Sequence, residues 1–313
     1  MGLPVYNGLP YVQELIESLL AQTFGDFELA ISDNASTDGT SELCQQYAAA
    51  DPRIKYVRNP ENIGLIPNFN RVFEISSAPI YKWVAADDLY EPRYLEACFP
   101  LIENDPSVAV AHCQTILVDG DGQELPYDAC IHGYSDSRNK RSWLLDRDAC
   151  ATRGGRARRF RDVLMQQIMC SPIYGLMPRR MLDKTGLHKS FFGSDKLLLA
   201  EMALEGRFAI APEKLFKKRI HTEMTSVMSG AELQTKIDPE KDLDSLRREK
   251  LRSYIAMLRS RGLSRFEYVA CLAYLGLHSA SSAVPEILRY RPNLLGSHLA
   301  SKWRQRGAEQ QQL

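Results

Sequence analysis

The first 118 residues alternate short runs rich in strand-forming residues with segments in which apolar residues recur every three or four positions. The runs predict strands, and the three-to-four spacing predicts helices. Strands are predicted at 27–32, 54–58, 80–85 and 108–118, and helices at 10–22, 41–50, 68–75 and 92–104. This alternation indicates an α/β fold, an αβα sandwich whose mostly parallel central sheet carries helices on both faces.

Residues 2–8 have the character of the end of a first strand that runs into a loop, yet only Met1 precedes them. A central strand buries apolar area, which stabilises a fold by about 25 cal/mol per Å². We therefore expect a native chain that begins upstream of Met1; the alternative is a very short first strand.

The alternation gives way at residue 119 to a polar segment that extends to Arg161 and is rich in arginine after Arg153. Segments of this kind are functional or disordered loops. For the arginine-rich stretch at 153–161 we expect a solvated, mobile loop; the alternative is that it closes over the diphosphate or meets an anionic acceptor. After Pro239 the pattern becomes helical, and the last predicted helix, 294–306, is basic. The predicted organisation is a domain at 1–235, with halves at 1–118 and 119–235, followed by a helical extension at 236–313.

Composition narrows the range of partners. Lysine plus arginine equals aspartate plus glutamate at 39 each, which gives no reason to expect nucleic acid as a partner. The seven cysteines are scattered and contain no CxxC pair, which argues against a zinc ribbon or a disulfide scaffold and predicts reduced thiols in the cytoplasm. The basic, helical C-terminus predicts peripheral contact with an anionic membrane surface, at the inner face of the plasma membrane.

Polar clusters follow the predicted strands at the points where ligands bind in open α/β sheets, outside the carboxyl ends of the strands. These clusters lie at 4–8, 33–40, 59–64 and 87–88. Asp33 comes directly after a strand, where its carboxylate could accept a hydrogen bond from the imide N–H of a base. The alternative for this cluster is a turn and helix cap, which Asp, Asn, Ser and Thr commonly form.

The adjacent carboxylates of Asp87 and Asp88 repel each other, and burial without a counter-charge would be costly. A divalent cation removes this difficulty, because Mg²⁺ and Mn²⁺ prefer oxygen ligands and Mg²⁺ is held by one or two carboxylates together with substrate phosphates. The pair therefore predicts a metal ion that bridges to a diphosphate. The alternative is a solvated turn before the helix predicted at 92–104.

Taken together and in this order, the clusters resemble the family 2 glycosyltransferases of the GT-A fold. The segments that carry the likeness are PVYNG at 4–8, SDNASTDGT at 32–40, NPENIG at 59–64 and AADDLYEP at 85–92. They cover about the first hundred residues. The resemblance implies a GT-A-type domain that binds a nucleotide-sugar and transfers the sugar to an acceptor nucleophile.

The resemblance also implies roles for individual residues. Asp33 would read the base, Asp87 would contact the ribose or the metal ion, and Asp88 would ligate the metal ion. Ala86 occupies the position where many relatives carry the first aspartate of the metal motif, so the choice of main ligand between Asp87 and Asp88 stays open. The residues expected to border the nucleotide are Pro4, Tyr6, Asn7 and Asn62; the alternative for Asn62 is a plain turn.

The second half supplies residues for the acceptor side. The resemblance places the catalytic base of inverting relatives at Asp195, which precedes the helical segment LLLAEMALEG; the alternative is that Asp195 only caps this helix. Glu201 is a second candidate for the base but is expected on the helix surface. Arg219 and His221 are placed by the resemblance against the diphosphate or the metal ion; the alternative for His221 is an ordinary surface histidine.

The leading interpretation is therefore a metal-dependent, inverting glycosyltransferase that uses Mg²⁺ or Mn²⁺ and a nucleoside-diphosphate sugar. A UDP-sugar is the preferred donor because Asp33 can pair with a uracil imide, and a dTDP-sugar offers the same imide. The acceptor could be a glycan, a lipid-linked molecule or a protein. Two other interpretations are a sugar nucleotidyltransferase, although residues 8–10 lack its glycine-rich basic loop, and a degenerate domain that only binds.

Overall fold

The computed structural model describes residues 1–129, 132–136, 141–146, 150–166, 169–221 and 242–282. Its strands are β1 (Gly2–Val5), β2 (Leu29–Asp33), β3 (Ile54–Arg58), β4 (Ile80–Tyr81), β5 (Leu89–Tyr90), β6 (Val108–Val118), β7 (Tyr127–Asp128), β8 (Gly133–Asp136), β9 (Arg141–Leu144), β10 (Met177–Pro178) and β11 (Arg207–Arg219). Its helices are α1 (Val12–Leu20), α2 (Thr40–Ala50), α3 (Leu65–Glu74), α4 (Tyr94–Glu103), α5 (Arg156–Gln166), a 3-10 helix (Ser171–Tyr174), α6 (Arg179–Leu182), α7 (Ser194–Glu205), α8 (Leu243–Ser260) and α9 (Arg265–Ser282).

The central sheet is built from three short sheets joined by single bridges. Strands β1, β2 and β3 are parallel with order β1-β2-β3, and Gly2 in β1 bridges to Trp83 just after β4. Strand β10 pairs antiparallel with β4, and the neighbouring Leu176 bridges to Ala111 in β6. Strand β11 completes the sheet between β6, to which it is parallel, and β5. The predicted halves 1–118 and 119–235 thus share one mostly parallel sheet.

Helices cover both faces of this sheet, and each face has its own apolar core. One core packs α1, α2 and α4 against β1, β2 and β6, and includes Leu15, Cys44 and Cys98. The other packs α3, α5, α7, α8 and α9 on the opposite face, around Trp83 and Phe160. The apolar spacing seen in the sequence buries one stripe of α1 and α4, whereas α7 is buried on nearly every side. Helices on both faces of one sheet make an αβα sandwich.

Most predicted elements of the first half occur in the structure with small shifts at their ends. Helix α3 begins three residues earlier than predicted, because Pro67 lies in its first turn, where a missing N–H is tolerated. Strand β4 is shorter than the predicted 80–85 and continues only through the bridge of Trp83. Strand β1 has four residues, all buried and paired with β2.

The polar segment predicted as a solvated loop is partly regular. It contains the small antiparallel sheet β7-β8-β9, and α5 begins within the arginine-rich stretch at Arg156. The guanidinium groups of Arg156 and Arg159 donate to the carbonyl oxygens of Leu204 and Ala203 at the end of α7. The expectation of a solvated loop here was wrong, because these arginines satisfy a helix end.

Helices α8 and α9 form the described part of the predicted C-terminal extension. The proposed boundary at 235/236 and the basic helix predicted at 294–306 lie outside the described residues. Within the part of the chain that the structure describes, no helix combines the length and apolar character needed to cross a membrane.

Candidate active site

Asp33 ends β2 and is fully buried at the carboxyl edge of the sheet. Its Oδ1 accepts a hydrogen bond from the Ser36 backbone N–H at 2.9 Å, and its Oδ2 accepts from the hydroxyls of Ser41 and Tyr56 at 2.5 and 2.7 Å. Burial alone raises the pKa of this carboxyl, but the hydrogen bonds outweigh burial and hold its pKa below the usual value. Asp33 therefore stays ionised.

The loop after β1 is fastened to the loop after β2. The backbone N–H of Asn7 donates to Ser36 Oγ at 2.9 Å, and Asn7 Oδ1 accepts from the Thr37 N–H at 2.8 Å. Tyr6, by contrast, is half exposed beside them, and Pro4 is buried within β1. The structure thus brings these predicted nucleotide-binding residues to the same edge as Asp33, with Tyr6 and Asn7 facing solvent.

Asn34 joins the loops that follow β2 and β3. It is buried, its Nδ2 donates to Asn62 Oδ1 at 2.7 Å, and its Oδ1 accepts from Asn59 Nδ2 at 3.0 Å and from the Ile63 N–H at 2.9 Å. The exposed Asn62 also accepts from the Gly64 N–H, where α3 begins. Sequence reasoning singled out Asn62 and missed Asn34, whose position beside Asp33 was the available signal.

Asp87 and Asp88 lie between β4 and β5 and have different surroundings. Asp87 Oδ2 is 3.0 Å from His221 Nε2. Asp88 is 2% exposed; its Oδ1 accepts from the Arg219 backbone N–H at 3.0 Å, while its Oδ2 is buried without a hydrogen-bond partner. Burial, together with the negative charge of Asp87, raises the pKa of Asp88 to about 8.

Arg219, at the end of β11, is buried and has protein partners on each nitrogen of its guanidinium. Its Nε donates to the carbonyl oxygen of Asp87, its Nη1 to that of Gly120, and its Nη2 to the carboxylate of Glu14. Its guanidinium also lies over the ring of Tyr11, at 4.6 Å from the centroid. In this conformation Arg219 fixes the backbone of the aspartate pair, and its predicted contact with the donor stays a prediction.

Asp195 lies in the first turn of α7, which begins after Gly193 at φ 83°. Its side chain is 48% exposed, and its Oδ1 is 3.3 Å from Nδ1 of the buried His188. Partial burial of the Asp195 carboxyl raises its pKa, but the hydrogen bond and charge of His188 and the charge of Lys218 lower it, and the net pKa is below the usual value.

The carboxylates of Asp88 and Asp195 both interact with Lys218 and Tyr174. The positive charge of Lys218, on β11, lowers the pKa of both Asp88 and Asp195. The pKa of the Tyr174 phenol is well above its usual value because of burial and because Asp88, Asp195 and Asp87 all place negative charge near it. The Lys218 ammonium lies 5.3 Å from the centre of the Tyr174 ring. Carboxylates that are far apart in sequence therefore lie close enough to interact with the same two side chains.

The ring of Tyr11 connects this region to the Asp33 side. Tyr11 follows the β1 loop, donates its backbone N–H to Gly8, and packs against the His221 ring at 5.1 Å between centroids. Gly8 in turn donates its N–H to Thr40 Oγ1 at 2.8 Å. The loops after β1, β2 and β11 thus form one continuous surface.

The surroundings of Asp87 and Asp88 fit a cation that is bound partly by a ligand better than a cation that is bound by protein side chains alone. Among the described residues, no three His, Cys, Asp or Glu side chains are grouped as a complete metal site. The buried Oδ2 of Asp88, however, has no partner, and a buried carboxylate oxygen without one is unfavourable unless a cation or donor reaches it. This fits Mg²⁺ or Mn²⁺, which take one or two carboxylates and complete their shell with phosphate and water.

Glu201 does not lie on the helix surface as expected. It is buried, its Oε2 accepts from the Gly186 N–H at 3.0 Å, and it pairs with Arg261 at 3.4 Å. Burial raises the pKa of Glu201. This residue joins α7 to the end of α8 and is not placed with the carboxylates around Lys218.

Comparison with known proteins places this arrangement in a class. Residues 2–183 match the family model described as glycosyl transferase family 2. An uncharacterized glycosyltransferase of Haemophilus influenzae is 25% identical over 231 residues, which are 71% of this chain and 65% of that protein. A chondroitin synthase of Escherichia coli is 29% identical over 120 residues, which are 38% of this chain but 17% of that protein. The chain thus spans less than two thirds of the length of these relatives.

Solved structures share the fold at low identity. TarS 1-349 of S. aureus in complex with UDP-GlcNAc superposes with a TM-score of 0.60 and 15% identity, covering 91% of this chain and 73% of that one. The mannosyltransferase PcManGT of Pyrobaculum calidifontis, in complex with GDP-Man and Mn²⁺, superposes with a TM-score of 0.50 and 14% identity, covering 99% of this chain and 79% of that one.

The fold is that of a GT-A glycosyltransferase, as the sequence predicted. Because the family model covers more than half of its residues, the chain belongs to glycosyl transferase family 2.

Proposed function

We propose that this protein is an inverting glycosyltransferase that uses a divalent cation and moves a sugar from a nucleoside-diphosphate sugar to an acceptor hydroxyl. The observation that carries the proposal is the convergence of Asp87, Asp88 and Asp195 around Lys218 and Tyr174. An inverting displacement needs a base on the acceptor side and positive charge on the diphosphate side, and this region offers both.

Asp195 would act as the base. As the acceptor oxygen attacks the anomeric carbon, its proton passes to the carboxylate of Asp195, and the bond from the anomeric carbon to the diphosphate oxygen breaks with its electrons on the leaving nucleotide. The low pKa of Asp195 keeps it ionised and ready to accept this proton at neutral pH. Such a base accelerates transfer by ~10²–10⁴-fold.

Asp88, with Asp87 and His221 beside it, would hold Mg²⁺ or Mn²⁺, which would neutralise the negative charge that develops on the diphosphate. Lys218 adds a fixed positive charge to the same region. A UDP-sugar is the preferred donor and a dTDP-sugar the alternative, supported by the TarS complex with UDP-GlcNAc among the solved structures of this fold.

The acceptor is proposed to belong to cell-surface polysaccharide or glycoconjugate synthesis, which the similarity to a chondroitin synthase supports. Glycan, lipid-linked and protein acceptors remain alternatives. A cytoplasmic location, with peripheral contact at the inner face of the plasma membrane through the C-terminal helices, is part of the same proposal. Equal sedimentation with anionic liposomes before and after removal of residues 293–313 would contradict that contact.

A donor screen tests the proposal on wild type, Asp88→Ala and Asp195→Asn, with Asp244→Asn, an exposed carboxylate on α8, as a matched control. Nucleotide binding with and without Mn²⁺ and sugar release are both measured. Asp88→Ala should lose metal-dependent binding, while Asp195→Asn should bind normally and transfer ~10²–10⁴-fold more slowly. Metal-dependent binding without turnover of any donor would favour a binding module. Pyrophosphate release from NTP and sugar phosphate would favour a nucleotidyltransferase.

A further inference from the structure

His188 lies in the connection between α6 and α7 and is 3% exposed. Its imidazole packs edge-on against the rings of Trp83 and Phe69, with ring centroids at 4.8 and 5.3 Å. The Trp83 indole N–H is itself fixed by the Phe69 carbonyl at 2.9 Å. The rings of Trp83 and Phe69 therefore form an aromatic slot that fixes the plane of the His188 imidazole.

The backbone of His188 is fixed as firmly as its ring. Asn70 Oδ1 accepts from the His188 N–H at 3.1 Å, and Asn70 Nδ2 donates to the His188 carbonyl at 3.0 Å. Asn70 belongs to α3, which begins directly after the loop that contacts Asn34. The helix next to the predicted nucleotide loop thus sets the position of His188.

The two ring nitrogens of His188 have different surroundings. Nδ1 is 3.3 Å from Asp195 Oδ1 and 3.5 Å from Ser194 Oγ. Nε2 is buried with no hydrogen-bond partner. In the neutral ring the proton then belongs on Nδ1, where an acceptor is present, because the neighbouring group decides the tautomer.

We propose that His188 is a positioning residue for Asp195: its Nδ1–H holds Oδ1 of the carboxylate and leaves Oδ2 directed at the acceptor hydroxyl. The inference rests on the proposed role of Asp195 as the base. A carboxylate on the first turn of a helix can rotate about two side-chain torsions, and a catalytic group must be held by partners whose own conformations are locked. His188 meets that requirement through its aromatic slot and its clamp by Asn70.

Charged and titratable side chains from neighbouring elements face this pair, and Lys250 on α8 lies beside Gly193 at the start of α7. Lys218 on β11 and Tyr174 on the 3-10 helix both interact with Asp195, and Cys170 lies close to it. Of these, His188 and Lys218 lower the pKa of Asp195. Removal of His188 should therefore raise the pKa of Asp195 and shift the acid limb of the transfer rate to higher pH.

The test compares His188→Asn, His188→Gln and His188→Ala. The Asn side-chain amide nitrogen can occupy the position of Nδ1, whereas that of Gln corresponds to Nε2. We expect His188→Ala and His188→Gln to lower kcat about 10- to 100-fold, as for the loss of a hydrogen bond to a charged group, with the donor KM unchanged. His188→Asn should recover most of kcat and keep the acid limb near that of wild type.

Asp195→Asn is measured in parallel so that the two proposals can fail separately. If it transfers sugar at the wild-type rate, the base assignment fails and the role of His188 fails with it. If it is inactive while His188→Gln and His188→Ala keep wild-type kcat, only the role of His188 is overturned. Equal losses of kcat in His188→Asn and His188→Gln would also overturn it, because only the Asn amide can replace the Nδ1–H that the proposal requires. Losses of kcat that only follow losses of thermal stability would overturn it as well, because they would leave His188 a role in packing alone.

Discussion

Asp87 Oδ2 and His221 Nε2 lie 3.0 Å apart, although 134 positions separate the residues in the chain. The contact joins the turn after β4 to the end of β11, which runs beside β5 and β6. His221 is also held by the ring of Tyr11. This carboxylate and imidazole lie at the edge of the sheet, next to the Asp88 Oδ2 that has no hydrogen-bond partner. They are the residues to which the proposed function assigns a divalent cation.

Replacement of His221 by Ala should weaken Mn²⁺-supported binding of UDP by about 10-fold or more, because loss of a ligand or its partner reduces metal affinity by roughly that factor. Binding of UDP without metal should change little. Titration calorimetry with and without Mn²⁺ measures both. His132→Ala is the control, since His132 is an exposed histidine that pairs with Tyr127. Equal Mn²⁺ dependence in wild type and His221→Ala would rule His221 out of the site.

Tyr56→Phe should destabilise the protein at neutral pH by about 1.5–3 kcal/mol, because Tyr56 donates to the ionised, buried Asp33. The pKa of Asp33 is lowered in the folded protein, so its contribution is present above the ordinary aspartate pKa and is lost as pH falls through the folded value. Urea unfolding at pH 7 and near pH 3 should show a difference between wild type and variant that shrinks in acid. If the difference in unfolding free energy were the same at both pH values, the stabilising effect of Tyr56 would not depend on ionised Asp33.

Asn34→Ala should destabilise the protein by about 2 kcal/mol or more, because Asn59 and the Ile63 N–H would lose their buried acceptor. Nucleotide binding should weaken as well, since the loops after β2 and β3 lose their connection. Asn62→Ala is the matched control. It removes an exposed partner of the same network, and differential scanning calorimetry should find a loss of under about 1 kcal/mol. Similar losses for both variants would contradict a central role for Asn34.

Arg261→Met should cost about 3–5 kcal/mol, because Arg261 is buried between Glu201 and Glu205 and its loss leaves buried negative charge unpaired. The variant should also raise the pKa of Glu201 further, since Arg261 lowers it. Arg247→Met is the control, because Arg247 and Asp244 form an exposed pair on the same helix that should contribute about 0–1 kcal/mol. Chemical denaturation measures both losses of stability. Equal losses for Arg261→Met and Arg247→Met would contradict a stabilising ion pair between α7 and the end of α8.

The alternation of strands and helices, the polar clusters at strand ends and the family were all predicted from the sequence. Strands β3 and β6 coincide with the predicted 54–58 and 108–118, because short runs rich in β-branched and aromatic residues are a local signal. The prediction of a solvated loop at 153–161 was wrong, because the partners of Arg156 and Arg159 are carbonyl groups at the end of α7, which is distant in sequence. The prediction that Glu201 lies on the helix surface was also wrong, because its burial depends on Arg261.

The sequence by itself determined where helices, strands and turns form and where each polar residue lies along them, because periodicity and turn chemistry are local. Which side chains meet was decided only by the tertiary structure. The pairing of β11 with β5 and β6 brings Arg219 to Asp88 and His221 to Asp87, and the packing of α3 brings Asn70 to His188 and thus His188 to Asp195. These contacts join residues up to 134 positions apart, and sheet register and helix packing, which no local pattern encodes, set their distances and their pKa values.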